Sequence, residues 1–280
     1  MSDPAPTPTP SPSQSKSPYA LEVRNLTRSF GPRKILQDIS FQLKHGEILI
    51  IMGGSGCGKS TLLRHIIGSL KPDAGEIYIH GTEITKLNDE ALSKVRKRFG
   101  MLFQTGALFN SLTVGENVAL PLLESSDVAP NIADLVVKLK LELVGLTGFE
   151  HLKPAQISGG MKKRVGMARA LALDPDLLFC DEPTAGLDPV MTAVIDTLTV
   201  DLTKKLGLSA VVVTHDMTSA FRIATQMIFL FDGKIIASGT PDEIKNNPDP
   251  ILQQFINGYP DGPIPFKLSK DDYFKRLMEP

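Results

Sequence analysis

Cysteine is scarce in this chain, and tryptophan is missing altogether. The two cysteines, Cys57 and Cys180, lie far apart, and neither belongs to a C-x-x-C pair or to another metal-binding spacing. This spacing argues against a disulfide framework and against a zinc site. We expect two reduced thiols, as in proteins of the cytoplasm.

The chain also has no excess of charge of one sign and no long apolar run. The 280 residues include 30 basic and 31 acidic side chains, so the balance gives no sign of nucleic-acid binding. No apolar run approaches the roughly 18 residues that span a membrane, and the first residues do not read as a signal peptide. Residues 1–18 are rich in Pro, Ser and Thr, which predicts a disordered tail or, alternatively, a proline-rich binding segment.

A glycine-rich segment is the most informative feature that the chain does have. The apolar run Ile48–Met52 predicts a buried strand, the segment Gly53–Thr61 follows it, and a helical pattern comes next. This order fits the phosphate-binding loop G-x-x-x-x-G-K-[ST], in which backbone N–H groups surround a polyphosphate. Lys59 is expected to reach the β- and γ-phosphates, and the Ser60 hydroxyl to bind Mg²⁺. The nucleotide-binding residues are predicted to be Gly53, Gly54, Ser55, Gly56, Cys57, Gly58, Lys59, Ser60 and Thr61.

Polar residues follow two further apolar strands. Asp181 and Glu182 come directly after Leu177–Cys180, and His215 follows Ala210–Val213. Two adjacent carboxylates at the end of a buried strand are costly unless a cation pairs with one of them. His215 lies where ligands bind in open α/β sheets, although a structural role for a single histidine stays open.

The pattern of elements predicts an α/β fold with a mainly parallel sheet. Leu21–Leu26 and Lys34–Leu43 read as strands of an additional antiparallel layer. No strand pattern is evident from about 112 to 172, so we expect a helical subdomain inserted into a domain of residues 19–247. Residues 248–280 read as a C-terminal extension that packs on another surface.

Two more features suggest nucleotide contacts. Phe30 precedes a Gly-Pro turn, and its ring is either a stacking surface for a purine or a core side chain. Ser158, Gly159 and Gly160 open a predicted helix, and a helix start with two glycines is a favourable site for an anion.

Together these motifs resemble the ATP-binding cassette (ABC) ATPases over residues 21–247. Gly53–Thr61 matches the Walker A motif, and Leu177–Asp181 matches Walker B. The remaining matches are Gln104 for the Q-loop, Ser158 to Gly160 for the signature motif, Asp188 for the D-loop, His215 for the switch histidine and Phe30 for the adenine-stacking aromatic residue.

The resemblance implies an ATP-hydrolysing enzyme with ATP and Mg²⁺ as cofactors. Glu182 would act as the general base, with Lys59, Gln104 and His215 as further catalytic residues. Metal ligands would be Ser60, Gln104 and Asp181. In a head-to-tail homodimer, Ser158, Gly159, Gly160 and Met161 would contact the partner's ATP, and Asp188 would lie at the dimer seam.

One departure from the general family narrows the resemblance. Met161 follows Ser-Gly-Gly where most ABC cassettes have Gln. This Met, the loop Phe103–Phe109 and the segments 247–250 and 261–266 resemble the ATPase subunits of Mla-type phospholipid-transport systems. That implies an inner-membrane permease, an MCE-domain lipid-binding protein and a small STAS-type regulatory subunit as partners. It also implies a place on the cytoplasmic face of a bacterial inner membrane, and a C-terminal extension that packs on a neighbouring subunit.

Other functions remain open at this point. The chain could serve an importer or exporter of another lipid or solute, because the permease selects the substrate. A soluble ABC ATPase of translation or DNA repair usually has two cassettes or a long coiled-coil insertion, which this chain lacks. A P-loop kinase or GTPase-like switch would leave Ser158–Gly160 and His215 without a role.

Overall fold

A computed structural model describes residues 17–125 and 128–264. It contains one antiparallel and one mainly parallel sheet, with helices around them. This architecture confirms the predicted α/β class with an additional antiparallel layer. Within the described part of the chain, no helix is long and apolar enough to cross a membrane.

The antiparallel sheet has four strands in the order β2-β1-β4-β5. Alternating burial along the second strand, with Phe41 and Leu43 inward and Ser40 and Gln42 outward, explains why this sheet covers the core with one face only. The strands are β1 (Tyr19–Phe30), β2 (Arg33–Lys44), β4 (Ala74–Ile79) and β5 (Thr82–Glu83).

The second sheet has six strands in the order β10-β9-β3-β8-β7-β6. All neighbouring pairs are parallel except β10 with β9. The carboxyl ends of the parallel strands therefore lie along one edge, where the loops that follow them gather. The strands are β3 (Ile48–Met52), β6 (Phe99–Leu102), β7 (Leu177–Asp181), β8 (Ser209–Val213), β9 (Gln226–Phe231) and β10 (Lys234–Gly239).

The parallel sheet is buried on both faces. Along β3, Ile48, Ile50 and Met52 belong to one apolar cluster, whereas Leu49 and Ile51 belong to the cluster under the antiparallel sheet. Successive side chains of a strand point to opposite faces, so an uninterrupted apolar run supplies both layers.

Nine α-helices lie in the described residues. Side chains cap the starts of several of them, including reciprocal capping boxes at Thr113 with Glu116 and at Thr240 with Glu243. The helices are α1 (Lys59–Ile66), α2 (Asp89–Arg96), α3 (Val114–Ser125), α4 (Pro130–Leu143), α5 (Gly159–Ala170), α6 (Pro189–Leu206), α7 (Met217–Ile223), α8 (Pro241–Asn246) and α9 (Pro250–Asn257).

Helices α3, α4 and α5 fall within the span predicted for the helical subdomain, and the described residues between β6 and β7 contain no strand. They pack on one another through Val118, Val137 and Val165, which join the large apolar cluster on the parallel sheet. The helical region therefore shares its core with the sheet that carries the phosphate loop.

The beginning of the C-terminal extension packs on its own subunit. In α9, Leu252 is fully buried, and the Phe255 ring lies 4.9 Å from the Phe229 ring of β9. The contact of residues 248–280 with a neighbouring subunit stays a prediction. Residues 265–280 of this extension lie outside the described residues, as do residues 1–16 of the predicted N-terminal tail.

Candidate functional site

The predicted phosphate loop joins β3 to α1. Gly53 has a φ of 151°, and a Cβ there would lie 2.2 Å from the Leu230 carbonyl oxygen. Gly58 has a φ of 109°, and its Cβ would lie 2.9 Å from the Ile35 carbonyl oxygen. A side chain at either position would be strained and would also clash with backbone, so glycine is required by conformation and by space.

Lys59 points back across the loop. Its Nζ donates to the carbonyl oxygens of Gly53 and Gly54, at 2.8 and 2.9 Å. Ser60 lies exposed in the first turn of α1, whereas Cys57 is a buried free thiol. Helix α1 has no acidic residue in its first turn, so its positive end and the Lys59 ammonium both favour an anion held by the loop.

Two adjacent carboxylates lie at the carboxyl end of β7, the next strand but one from β3 in the sheet. Burial, followed by the neighbouring Glu182, raises the pKa of Asp181, although Lys59 and Arg64 act in the opposite direction. The Asp181 carboxylate therefore lacks full charge compensation from the protein. This is the property expected of a carboxylate that pairs with a cation.

Glu182 and His215 come together at the carboxyl ends of β7 and β8. The Nδ1 atom of His215 lies 2.9 Å from Oε1 of Glu182. The Glu182 backbone is left-handed, with a φ of 48°, and its N–H donates to the Val213 carbonyl at 2.9 Å. A carboxylate and an imidazole thus form a pair at the sheet edge, with His215 the more exposed of the two.

Gln104 lies in the loop after β6, and its side chain is exposed. The backbone carbonyl oxygen of Gln104 accepts a hydrogen bond from Nζ of Lys163, which also donates to the backbone carbonyl oxygen of Glu182 at 3.2 Å. Lys163 was not predicted as a site residue. The sequence does contain a signal for its burial. Lys163 lies at helical spacing from Gly166 and Ala170, two small residues on the buried face of α5.

The predicted signature residues form the start of α5. The Ser158 hydroxyl accepts from the Met161 N–H at 3.2 Å, and a Cβ on Gly160 would lie 2.5 Å from the Cε atom of Met191. Asp188 caps α6 through the N–H groups at 190 and 191. Within the described residues, no hydrogen bond or ion pair joins residues 158–161 to the phosphate loop of the same chain.

Phe30 lies at the end of β1 and is 48% exposed, which excludes a core role for its ring. The Arg28 guanidinium lies 4.8 Å from the ring centroid, and Asp73 holds that guanidinium by an ion pair of 2.8 Å. Arg28 therefore packs against Phe30, while the ring keeps an exposed surface that can stack on a base.

An open apolar groove of about 460 Å³ lies beside the Gln104 loop. Strand β6, helix α3 and Arg169 of α5 form its walls. Its exposed large apolar side chains are Phe103 and Phe109, at 43% and 52%. Apolar rings this exposed form a surface suited to a helix from another protein.

Comparison with known proteins identifies relatives along most of this chain. The family model described as "ABC transporter" matches residues 36–185. The chain is 44% identical to the intermembrane phospholipid transport system ATP-binding protein MlaF of Haemophilus influenzae, over 92% of this chain and 98% of that protein. It is 41% identical to the probable ribonucleotide transport ATP-binding protein mkl of Mycobacterium tuberculosis, over 90% of this chain and 70% of that one.

A solved dimeric structure of a bacterial ABC transporter cassette matches with a TM-score of 0.73 and 34% identity, covering 79% of this chain and 98% of the cassette. The fold, the family match and the near full-length relatives agree on one assignment. The chain belongs to the ABC transporter family, and its enzymatic activity is the hydrolysis of ATP.

Proposed function

We propose that this chain is the ATP-hydrolysing subunit of a transporter that moves phospholipids between the inner and outer membranes of a bacterium. The observation that carries the proposal is the similarity to MlaF along nearly the whole of both chains. The groove beside the Gln104 loop supports it, because a transport ATPase needs a surface for its membrane partner.

In the proposed site, the ATP phosphates lie on the loop 53–61 with Lys59 beside the β- and γ-phosphates, and Phe30 stacks on adenine. Glu182 accepts a proton from the attacking water, and His215, its hydrogen-bond partner, contacts the γ-phosphate. Gln104 orients water or completes the metal shell. The bond between Glu182 and His215 supports these roles, because it holds both side chains at the edge where the phosphate loop begins.

The donor set also fits Mg²⁺. Ser60 and Asp181 offer one hydroxyl and one carboxylate, with the Gln104 amide as a further oxygen, and Mg²⁺ prefers few protein oxygens together with phosphate and water. The raised pKa of Asp181 is consistent with a carboxylate that needs a cation. The ion would neutralise phosphate charge, while Lys59 and the loop N–H groups hold the phosphates in place.

The active form in this proposal is a head-to-tail homodimer. In the described part of the chain, residues 158–161 make no hydrogen bond or ion pair with the phosphate loop, and the positive end of α5 is suited to a γ-phosphate held by the partner. Asp188 then lies at the seam next to the α5 start, as the contact between Met191 and Gly160 suggests. We also propose that the chain after α9 packs on a neighbouring subunit.

The membrane partner would be a permease whose cytoplasmic helix enters the groove, placing this subunit on the cytoplasmic face of the inner membrane. An MCE-domain lipid-binding protein and a small STAS-type subunit complete the proposed complex, with no nucleic acid. The similarity to the mkl protein favours a second candidate, the ATPase subunit of a transporter with a different cargo.

Affinity purification from detergent-solubilised membranes tests the proposal, with mass spectrometry to identify the partners. We expect a multispanning permease and an MCE-domain protein to co-purify, and the Lys59→Ala variant to retain both partners while losing ATPase activity. A permease with a soluble solute-binding protein instead would favour the second candidate. Ribosomal proteins without a permease would contradict both.

A further inference from the structure

One face of α5 holds the Gln104 loop. Lys163 donates to the Gln104 carbonyl, and the two terminal nitrogens of Arg169 donate to the carbonyls of Gly106 and Ala107 at 2.8 and 2.7 Å. Between these cations, a Cβ on Gly166 would lie 2.9 Å from Leu102, so the helix and the loop pack in close contact. The loop is therefore fixed to the helix by three charge-assisted hydrogen bonds.

Lys163 has a second attachment at the proposed catalytic base. The same Nζ donates to the Glu182 carbonyl at 3.2 Å, and the residue is only 5% exposed. Burial lowers the pKa of Lys163, while the nearby Glu182 raises it. Burying an ammonium is costly unless its donors are satisfied, so the two carbonyls are needed to hold the group in place.

The helix that carries Lys163 begins at the signature residues. Ser158 caps α5, and Lys163 lies five residues further on, at roughly 1.5 Å of axial rise per residue. A hydrogen-bonded helix moves as a unit over so short a distance. Any displacement of Ser158 and Gly160 therefore reaches the Lys163 ammonium and, through it, the backbone of Gln104 and Glu182.

We propose that Lys163 is a positioning residue that couples the two ATP sites of the dimer, an inference that rests on the proposed function. The start of α5 contacts the partner's ATP. Lys163 transmits its position to Gln104 and Glu182, which act on the ATP held by their own chain. ATP at one site thereby aligns the catalytic groups of the other.

Substituting Lys163 by Met removes the ammonium and keeps an unbranched side chain of similar length. The carbonyls of Gln104 and Glu182 then lose a shared donor, and Glu182 loses one of the contacts that hold its left-handed backbone. We expect the maximal turnover to fall by about 100-fold, as for a displacement of about 1 Å in a catalytic group. Binding of a fluorescent ATP analogue should stay near that of the parent, since within the described residues Lys163 donates its hydrogen bonds to Gln104 and Glu182 and none to the loop 53–61.

The shape of the rate curve separates coupling from simple damage. Steady-state ATPase rates of the full chain are measured against ATP concentration for the parent, Lys163→Met and the matched control Lys162→Met. The parent and the control should give a sigmoidal curve, and Lys163→Met a hyperbolic one. A partly unfolded variant would lower the rate without changing the shape.

A hyperbolic parent curve, or a sigmoidal Lys163→Met curve, would overturn the coupling role. If Lys163→Met does not fold, Lys163→Ala, which also removes the donor and leaves room for water at the two carbonyls, carries the same comparison. Lys59→Ala is measured alongside. Its undiminished turnover would refute the site itself, whereas an inactive Lys59→Ala with a parental Lys163→Met curve would refute only the coupling.

Discussion

Single residues of this chain combine unfavourable local conformations with positions at the site. Glu182, with its φ of 48°, is held by backbone bonds to Val213 and Ala185 and by Lys163. A left-handed conformation costs a residue with a side chain on the order of 1–3 kcal/mol and persists where surrounding contacts fix it. These contacts direct the carboxylate toward His215 rather than leave it free in solvent.

His80 also has an unfavourable backbone conformation, but it lies outside the nucleotide site. It has a φ of 47° in the turn between β4 and β5, and it faces His45, Arg98 and Asp176. Burial first, and then the Arg98 charge, lower the pKa of His80 from 6.5 to about 4. The folded protein therefore binds fewer protons at this position than the unfolded chain does between these two values.

The free energy of unfolding should consequently decrease as the pH falls from 6.5 to about 4. Urea unfolding of the parent and of His80→Asn across this range measures the effect. Asn tolerates the left-handed conformation and does not titrate, so the variant should show a shallower pH dependence. Parallel profiles for the two proteins would show that His80 does not contribute.

At the scale of elements, α5 begins at the signature residues, packs against the Gln104 loop and supplies Lys163. Its sequence predicts only the first of these features. The pattern Ser-Gly-Gly predicts its start, and the structure agrees within one residue. The lysine at 163 looks like one member of a solvated basic run, because a sequence pattern does not distinguish a buried cation from an exposed one. Only the packing of Gly166 against the loop after β6 brings that ammonium to two carbonyls.

The sequence does not predict the shape of the groove between β6 and α3, which lies beside the Gln104 loop. The shape of the groove depends on the angle between α3 and α5, and contacts between residues distant in sequence determine that angle. Phe109 is exposed on this surface even though its N–H and carbonyl are both bound by the Asn117 side chain. A ring fixed by its backbone and left exposed is suited to bind a partner.

We expect Phe109→Ser to reduce the amount of permease that co-purifies with the full chain, because the partner helix loses an apolar contact. Phe149→Ser is the matched control, since Phe149 is 37% exposed and lies outside the groove. Quantitative mass spectrometry of the two purified complexes measures the ratio of permease to ATPase. An equal loss in both variants, or in neither, would contradict docking in the groove.

At the scale of the whole molecule, the order of motifs along the chain predicts which residues lie at the carboxyl ends of the parallel strands. Asp181, Glu182 and His215 lie at or just after the ends of two neighbouring apolar strands, and parallel strands end on one side, so Glu182 and His215 come within 2.9 Å of each other. The contact between Arg28 and Phe30 was not foreseen, because it depends on Asp73 from a different part of the chain. Within the described residues of one subunit, no hydrogen bond or ion pair joins the signature residues to the phosphate loop. This observation supports the proposal of a dimer.

The molar mass of the Glu182→Gln variant, measured by light scattering with and without Mg-ATP, tests this account most directly. Loss of a general base should slow hydrolysis by about 100-fold or more, so ATP persists between the subunits. We predict a monomer without nucleotide, a dimer with ATP, and a monomer in both conditions when Ser158→Arg is added. A Glu182→Gln variant that binds ATP and stays monomeric, or a dimer that tolerates Ser158→Arg, would contradict a site shared between two subunits.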